Sequence, residues 1–243
     1  MYLHNGSIKI YEVPSFPHAA TIGRITGLMN VWNNQDFEYG TDAKMTLSQN
    51  TERESDAYVL PIHRPRPQQG APAADDLGNA YPTMIVEVGY AQSFPDLHRT
   101  ASLYFDPQTT IQIVLCIKIF TVRADNTIAL TASLYLRTSP TPLIPTRVIS
   151  FGTADIDTNI VNYINSIGVL PGNLIGVGFT DPNNNNNNYP PCNAANIPTY
   201  LLNIPGPELF NGVPANLRPV GFAAGFNLDL WELQVVIRRK LNI

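Results

Sequence analysis

The sequence predicts an α/β protein in which helices pack against a mixed β-sheet. In two segments, 15–32 and 94–105, apolar residues recur every three to four positions, as in amphipathic helices. Short apolar runs rich in β-branched residues, at 83–88, 111–120 and 128–136, are typical of buried strands. The resulting order is helix, strand, strand, strand, helix, strand, strand, which favours an α/β sandwich.

The two helices have recognisable starts. Ser15 is a candidate N-cap residue of the first helix, and Pro17 suits the first turn because an amide hydrogen there needs no partner. The apolar face that follows consists of Ile22, Ile25, Met29 and Trp32. The second helix begins at Phe94-Pro95, and its apolar face consists of Leu97, Ala101 and Tyr104.

Two further strands are predicted before residue 83, at Phe37 to Leu47 and at Ala57 to Pro61. Residues 61–80 are rich in Pro, Gly and Ala and predict an exposed loop. Beyond Pro140 the pattern changes. It predicts a short strand at 148–151, a helix at 156–167, an exposed mobile loop at 181–193, which contains six successive asparagines, and an amphipathic helix at 228–241.

Composition limits the functional classes. The chain is 44% hydrophobic and 14% charged, which predicts a folded protein. Its net charge of −4 gives no overall basic field and argues against a tight, constitutive DNA binder. Neither Cys116 nor Cys192 belongs to a zinc or CxxC motif. Without a signal-peptide pattern or a membrane-length apolar run, we expect an intracellular protein, cytoplasmic or nuclear, that has no membrane partner.

Glu87 stands out because it lies in the middle of the apolar strand at 83–88. If the strand carrying Asp56 is its neighbour, the two backbones lie about 4.8 Å apart and both carboxylates can point to one face. Their repulsion would raise one pKa unless a cation lies between them. Mg²⁺ takes one or two protein carboxylates and keeps other positions for water and phosphate. In the alternative interpretation, Glu87 reaches solvent or pairs with Arg or Lys on the next strand.

Four segments together resemble a known family: PHAATIGRITGLM, SDAYVLP, MIVEVGYAQS and LHRTASLYF. In this order they resemble the Uma-type restriction endonucleases of the PD-(D/E)XK nuclease superfamily, and a fungal expanded group with the same VEVG core. Near the C-terminus, FNLDLWELQ is similar to the apolar-LDL-apolar motif at the end of that family's sequences. The resemblance implies one restriction-endonuclease-like domain over 1–243, with a mixed sheet flanked by helices. Its core would be about 10–138 and 225–241, with an elaboration at about 140–220.

The resemblance also implies an activity, the Mg²⁺-dependent (or Mn²⁺-dependent) hydrolysis of DNA phosphodiester bonds. Asp56 matches the Asp of the PD half, with Ser55 where Pro is usual, and Glu87 matches the (D/E) of the second half. Both would be catalytic metal ligands. DNA would be the partner, and a homodimer is one alternative for the oligomeric state.

One position departs from the motif, because Gly89 stands where the catalytic Lys is expected. Lys118, the charge in the apolar strand at 111–120, is one candidate to position the attacking water, since a buried Lys has a tunable pKa. Its stem could instead lie along apolar surface with the ammonium in water. Gln92 is the second candidate. His18, which corresponds to a histidine of the family's first helix, either lines the site or makes a local hydrogen bond.

Two other functional classes remain at this point. The nuclease fold could be kept with catalysis lost, which would leave a binding or interaction module, and Gly89, Ser55 and the acidic balance favour this. A β-rich carbohydrate or protein binder is the third class. No GxxxxGK[ST], GxSxG or HExxH motif occurs.

Overall fold

The computed structural model describes residues 15–243 in full, and the segments Tyr2–His4 and Ser7–Lys9 as backbone strands. Within these residues the chain forms eleven strands and five α-helices. The strands are β1 Tyr2–His4, β2 Ser7–Lys9, β3 Phe37–Ser48, β4 Thr51–Pro61, β5 Met84–Gly89, β6 Ile113–Ile119, β7 Leu130–Leu136, β8 Arg147–Ser150, β9 Leu174–Gly176, β10 Leu201–Ile204 and β11 Phe226–Asp229. The helices are α1 Phe16–Trp32, α2 Phe94–Tyr104, α3 Thr158–Ser166, α4 Gly206–Leu209 and α5 Leu230–Leu241.

Nine of these strands form one mixed sheet in the order β2-β1-β4-β5-β6-β7-β8-β9, with β3 paired to β4 outside this path. The β5–β6 and β8–β9 pairs are parallel, and the other pairs are antiparallel. Strands β10 and β11 form a separate antiparallel pair. The predicted α/β class, a mixed sheet with helices against it, is confirmed. Among the described residues no helix is long and apolar enough to cross a membrane.

Helices cover both faces of the sheet. On one face α1 and α5 pack together through Ile25, Met29 and Ile237, against Val86 of β5 and Leu115 of β6. On the other face the α2 residues Leu97, Ala101 and Tyr104 pack on Ile85, Val114 and Cys116. Because successive strand residues point to opposite faces, Glu87 shares the α2 face with Ile85. Helix α3 lies beside α2, where Ile164 and Phe94 meet Val148.

The long β3–β4 hairpin passes from one face of the sheet to the other. Its residues Phe37 and Val59 belong to the core under α1, whereas Met45 and Leu47 belong to the core under α2. Two-stranded ribbons twist strongly, and here Asp42 has a left-handed φ of 54° within β3. The twist therefore lets residues near the β4 start approach α2.

The prediction for β4 was wrong at its N-terminal end. The strand begins at Thr51 rather than at Ala57, because TERES has no apolar run to indicate a strand. The C-terminal prediction was also incomplete. Residues 228–241 divide into the end of β11 and helix α5, whose N-cap Asp229 accepts a hydrogen bond from the Trp231 amide.

Residues 140–220 continue the sheet and add to both of its faces, with α3 on the α2 side and β10 on the α1 side. Strands β8 and β9 extend the sheet beyond β7, and β10 pairs with β11. The asparagine-rich loop is exposed, as predicted, but its backbone is hydrogen-bonded. The amide of Asp181 donates to the Asn187 carbonyl at 2.7 Å, and Asn185 and Asn186 adopt left-handed conformations that asparagine tolerates.

Candidate functional site

The sheet brings Asp56 and Glu87 to adjacent strands. In the antiparallel β4–β5 pair, Ala57 lies opposite Val86, and Asp56 and Glu87 are the next residues along each strand. The pairing ends there, and the Val88 amide donates to Oδ2 of Asp56 at 2.7 Å. The Asp56 carboxylate thus acts as the acceptor for a strand amide at the point where the pairing stops.

Glu87 is bound on both oxygens by protein donors. Nη2 of Arg53 lies 2.8 Å from Oε2, and Nε of Arg53 lies 3.3 Å from Oε1. The Tyr104 hydroxyl donates to Oε1 and accepts from Nε of Arg53 at 3.0 Å. Glu87 is 3% exposed, Arg53 is 5% exposed and Tyr104 is fully buried. The three side chains belong to one buried hydrogen-bonded network under α2.

The electrostatics match a buried ion pair. Burial raises the pKa of the Glu87 carboxyl, and the charge of Arg53 opposes that rise. Burial alone would lower the pKa of Arg53, but the charges and hydrogen bonds of Glu87 and Tyr104 together outweigh it, and the pKa is raised. Burial also raises the pKa of Tyr104 well above its ordinary value, so its hydroxyl remains a donor at neutral pH. The Arg53 guanidinium therefore stays protonated beside Glu87.

Asp56 links the sheet to the first helix. Its Oδ2 lies 3.1 Å from Nε2 of His18, which is buried on α1. The Asp56 side chain is 24% exposed, so it is the more accessible of the two carboxylates. His18 therefore makes a contact between distant parts of the chain, and the contact joins α1 to β4.

The two candidates for the missing lysine bind other groups. Lys118 lies directly opposite Gly89 in the parallel β5–β6 pair, and its Nζ donates to the Tyr90 carbonyl at 2.7 Å. It is 6% exposed and lines a cavity of about 390 Å³ at the start of α2. The Gln92 amide donates to the Thr100 hydroxyl at 3.1 Å. The catalytic roles of Lys118 and Gln92 stay predictions.

A divalent metal does not fit this arrangement. Within the described residues no three His, Cys, Asp or Glu side chains are grouped as a metal site. Both Glu87 oxygens already accept hydrogen bonds, and the guanidinium of Arg53 would repel a second cation at this position. Mg²⁺ requires near-octahedral oxygen ligands with open positions for water, which this closed network does not offer.

Two residues of this network were missed from the sequence. Arg53 fell outside the predicted strand, and Tyr104 was assigned only to an apolar helix face. The sequence carries no apolar signal for Arg53, because the buried positions that continue the alternation of Ala57 and Val59 towards the strand start are the polar residues Ser55, Arg53 and Thr51.

No protein-family model matches the sequence, and no curated protein matches it. Among solved structures, one described as a "putative nuclease belonging to DUF820" from Anabaena variabilis is similar. It has 12% sequence identity, a TM-score of 0.50, and coverage of 97% of this chain and 90% of that chain. The chain has a nuclease-like fold. At this identity the likeness extends to the fold alone, a restriction-endonuclease-like sheet with its helices.

Proposed function

We propose that this chain is a nuclease-fold protein in which metal-dependent hydrolysis has been lost and which acts as a binding module. The observation that supports this proposal best is the Glu87 network. The carboxylate that the Uma-type resemblance assigns to the metal is neutralised by Arg53 and capped by Tyr104. The proposal includes descent from the Uma-type nucleases, in which the acid pair, Asp56 and Glu87, is retained because it stabilises the fold.

The chemistry of the network favours a structural role. A metal ligand must leave an oxygen open and tolerate a charge of +2, but Glu87 is closed from water and already paired with a cation. Breaking a buried ion pair of this kind costs about 3–5 kcal/mol, because it leaves one charge unpaired. Moving Arg53 aside for a metal would therefore cost a large part of a typical folding free energy of about 5–15 kcal/mol.

A groove formed mainly by residues 140–220 is the candidate binding surface. Its volume is about 570 Å³, within the range of about 300–1,000 Å³ that is usual for small-ligand sites. Its lining includes aliphatic side chains, among them Leu134, Ile149 and Ile175, together with the polar groups of Arg147 and Asp181. This groove is larger than the cavity of about 390 Å³ beside Lys118.

A second candidate function is the Mg²⁺- or Mn²⁺-dependent cleavage of DNA. The position of Lys118 favours it, because this ammonium-bearing residue lies opposite Gly89, the place of the missing lysine. For this function Asp56 and Glu87 would both have to become available to a metal. The Glu87 network would have to open first, and a homodimer would suit cleavage of both DNA strands.

Calorimetric titration with Mg²⁺ and Mn²⁺, with and without a short DNA duplex, separates the two functions. The wild type is compared with the Asp56→Asn/Glu87→Gln double variant, and cleavage of the duplex is followed in parallel. We expect the wild type to show no saturable heat of metal binding that is absent from the double variant, and we expect no cleavage of the duplex. Saturable binding in the wild type that disappears in the double variant would support the nuclease and overturn the binding-module proposal.

A further inference from the structure

We infer that the groove binds an extended peptide, which pairs as a third strand with the open edge of β10 and places a carboxylate beside Arg147. This inference rests on the proposed function, in which the chain acts as a binding module, and it names the kind of partner that the module takes. The groove, of about 570 Å³, has β10 along one wall and the hairpin at 179–189, which carries the asparagines, along another.

The first support is the edge of β10. Among the described residues, β10 pairs with β11 alone, in a sheet of two strands. Three consecutive residues, Leu201, Leu202 and Asn203, line the groove, although successive residues of a strand point to opposite faces. The groove therefore runs along the edge of β10 that β11 leaves open. Such an edge presents amide and carbonyl groups that an extended peptide can pair with through main-chain hydrogen bonds.

The second support is the floor of the groove, which comes from three neighbouring strands of the large sheet. Leu134 lies on β7, and Ile149 and Ile175 are direct partners in the parallel β8–β9 pair. Ile175 is only half-buried, so part of this apolar floor is still in contact with water. Every second side chain of an added strand would point to the floor, and the groove therefore favours aliphatic side chains at alternate positions.

The third support is the charge of Arg147 at the rim. Arg147 is exposed, and its guanidinium donates to the Gly172 carbonyl at 3.5 Å. None of the ion pairs found within residues 15–243 includes Arg147. The carboxylate of Asp181, by contrast, already accepts a hydrogen bond on Oδ1 from the Asn183 amide at 2.9 Å. A carboxylate on the peptide would complement Arg147, since carboxylates and guanidinium groups form strong paired hydrogen bonds.

The hairpin wall adds a hydrogen-bond donor near these charges. Its strands are joined where the Tyr189 amide donates to the Phe179 carbonyl at 3.0 Å. Burial raises the pKa of the Tyr189 hydroxyl, the charge of Asp181 adds to that rise, and the charge of Arg147 opposes it. The hydroxyl therefore keeps its proton at neutral pH and can donate to a peptide that lies between the hairpin and β10.

The test uses the full chain and fluorescein-labelled peptides of about six residues, the usual length of a strand, in which valine alternates with threonine and both ends are blocked. Glutamate replaces each threonine in turn, and a matched set carries lysine instead. A third set carries N-methyl groups on alternate residues, in both registers, so that one edge of each peptide loses its donors. Fluorescence anisotropy measures binding to the wild type, Arg147→Glu and Leu201→Glu. Leu170→Glu, at a leucine that is 66% exposed and lies outside the groove lining, is the matched control.

We expect at least one glutamate peptide to bind the wild type with a Kd below about 100 µM. Its lysine counterpart should bind at least about tenfold more weakly, and Arg147→Glu should reverse this preference. One N-methylated register should lose at least about tenfold in affinity, because only one edge of the peptide faces β10. Leu201→Glu should weaken binding, whereas Leu170→Glu should leave it unchanged.

Absence of binding by every glutamate peptide would overturn the inference, and so would equal binding of the glutamate and lysine sets. Unchanged binding of both N-methylated registers would indicate apolar contact without strand pairing and would also overturn it. Thermal unfolding checks that the variants are folded, and Arg147→Gln and Leu201→Thr replace any that are not.

The peptide result is separate from the test of the proposed function. Failure of all peptides, with no metal binding by the wild type, would remove the peptide partner and leave the proposed loss of hydrolysis standing. Metal-dependent cleavage of DNA by the wild type would overturn the proposed function whatever the peptides do.

Discussion

Glu87→Gln distinguishes a structural acid pair from a metal site. The amide keeps the shape of the side chain but removes its charge, so Arg53 would remain buried at 5% exposure without its carboxylate. Breaking a buried pair from one side costs about 3–5 kcal/mol. For a chain of this size each kcal/mol lowers Tm by about 2–4 °C, so the expected loss is about 6–20 °C.

If Glu87 and Asp56 formed an empty metal site, Glu87→Gln would change the stability of the fold in the opposite direction. If Glu87 faced Asp56 without Arg53 as its partner, removal of one negative charge would relieve repulsion and leave stability unchanged or increased. The assay is urea unfolding followed by circular dichroism at pH 7, with calorimetry for Tm. Glu38→Gln, at an exposed position of β3, is the matched control, and its effect should stay within about 0.5 kcal/mol. A Glu87→Gln variant as stable as wild type would refute the ion-pair account.

Three further predictions concern the same fold. The double replacement Arg53→Met/Glu87→Leu should destabilise the chain less than the sum of its single changes, because no charge is left unpaired; a double-mutant cycle in urea measures the difference. Burial, and then the charge of Arg99, lower the pKa of His98. Between about pH 6.5 and this lower pKa only the unfolded chain takes up the proton, so the free energy of unfolding should decrease as the pH is lowered through that window. His98→Gln should remove this part of the pH dependence, which urea unfolding at several pH values measures. Gly152→Ala should destabilise by at least about 1–3 kcal/mol, because its Cβ would lie 2.1 Å from the Ile128 carbonyl oxygen; calorimetry showing an unchanged Tm would contradict this.

The spacing of apolar residues was sufficient to predict the helices and strands that bury one regular face. The first helix was predicted at 15–32 and observed at Phe16–Trp32, and β5 and α2 were found within a residue or two of their predicted bounds. These segments carry their own signal because apolar residues repeat at the period of the element. The short strands β9, β10 and β11 carry no such signal, since three or four residues do not establish a period.

The network at Glu87 depends on information that local patterns do not contain. Whether Glu87 pairs with Arg53 is decided by the register of β4 against β5 and by the twist of the β3–β4 hairpin. Of the two interpretations of Glu87, the ion pair with a neighbouring strand is the one found in the structure. The partner was missed because TERES was not recognised as the first half of a strand.

The most direct test of the closed acid pair is nuclear magnetic resonance of the arginine Nε–H groups. Arg53 donates from Nε to Glu87 and to the buried Tyr104 hydroxyl, so its Nε proton should exchange slowly with water. Arg53→Lys assigns this resonance by removing it. The account predicts a protected signal that Mg²⁺ leaves unmoved and that loses its protection in Glu87→Gln. A signal that exchanges as fast as those of exposed arginines, or that shifts as Mg²⁺ saturates a site, would contradict it.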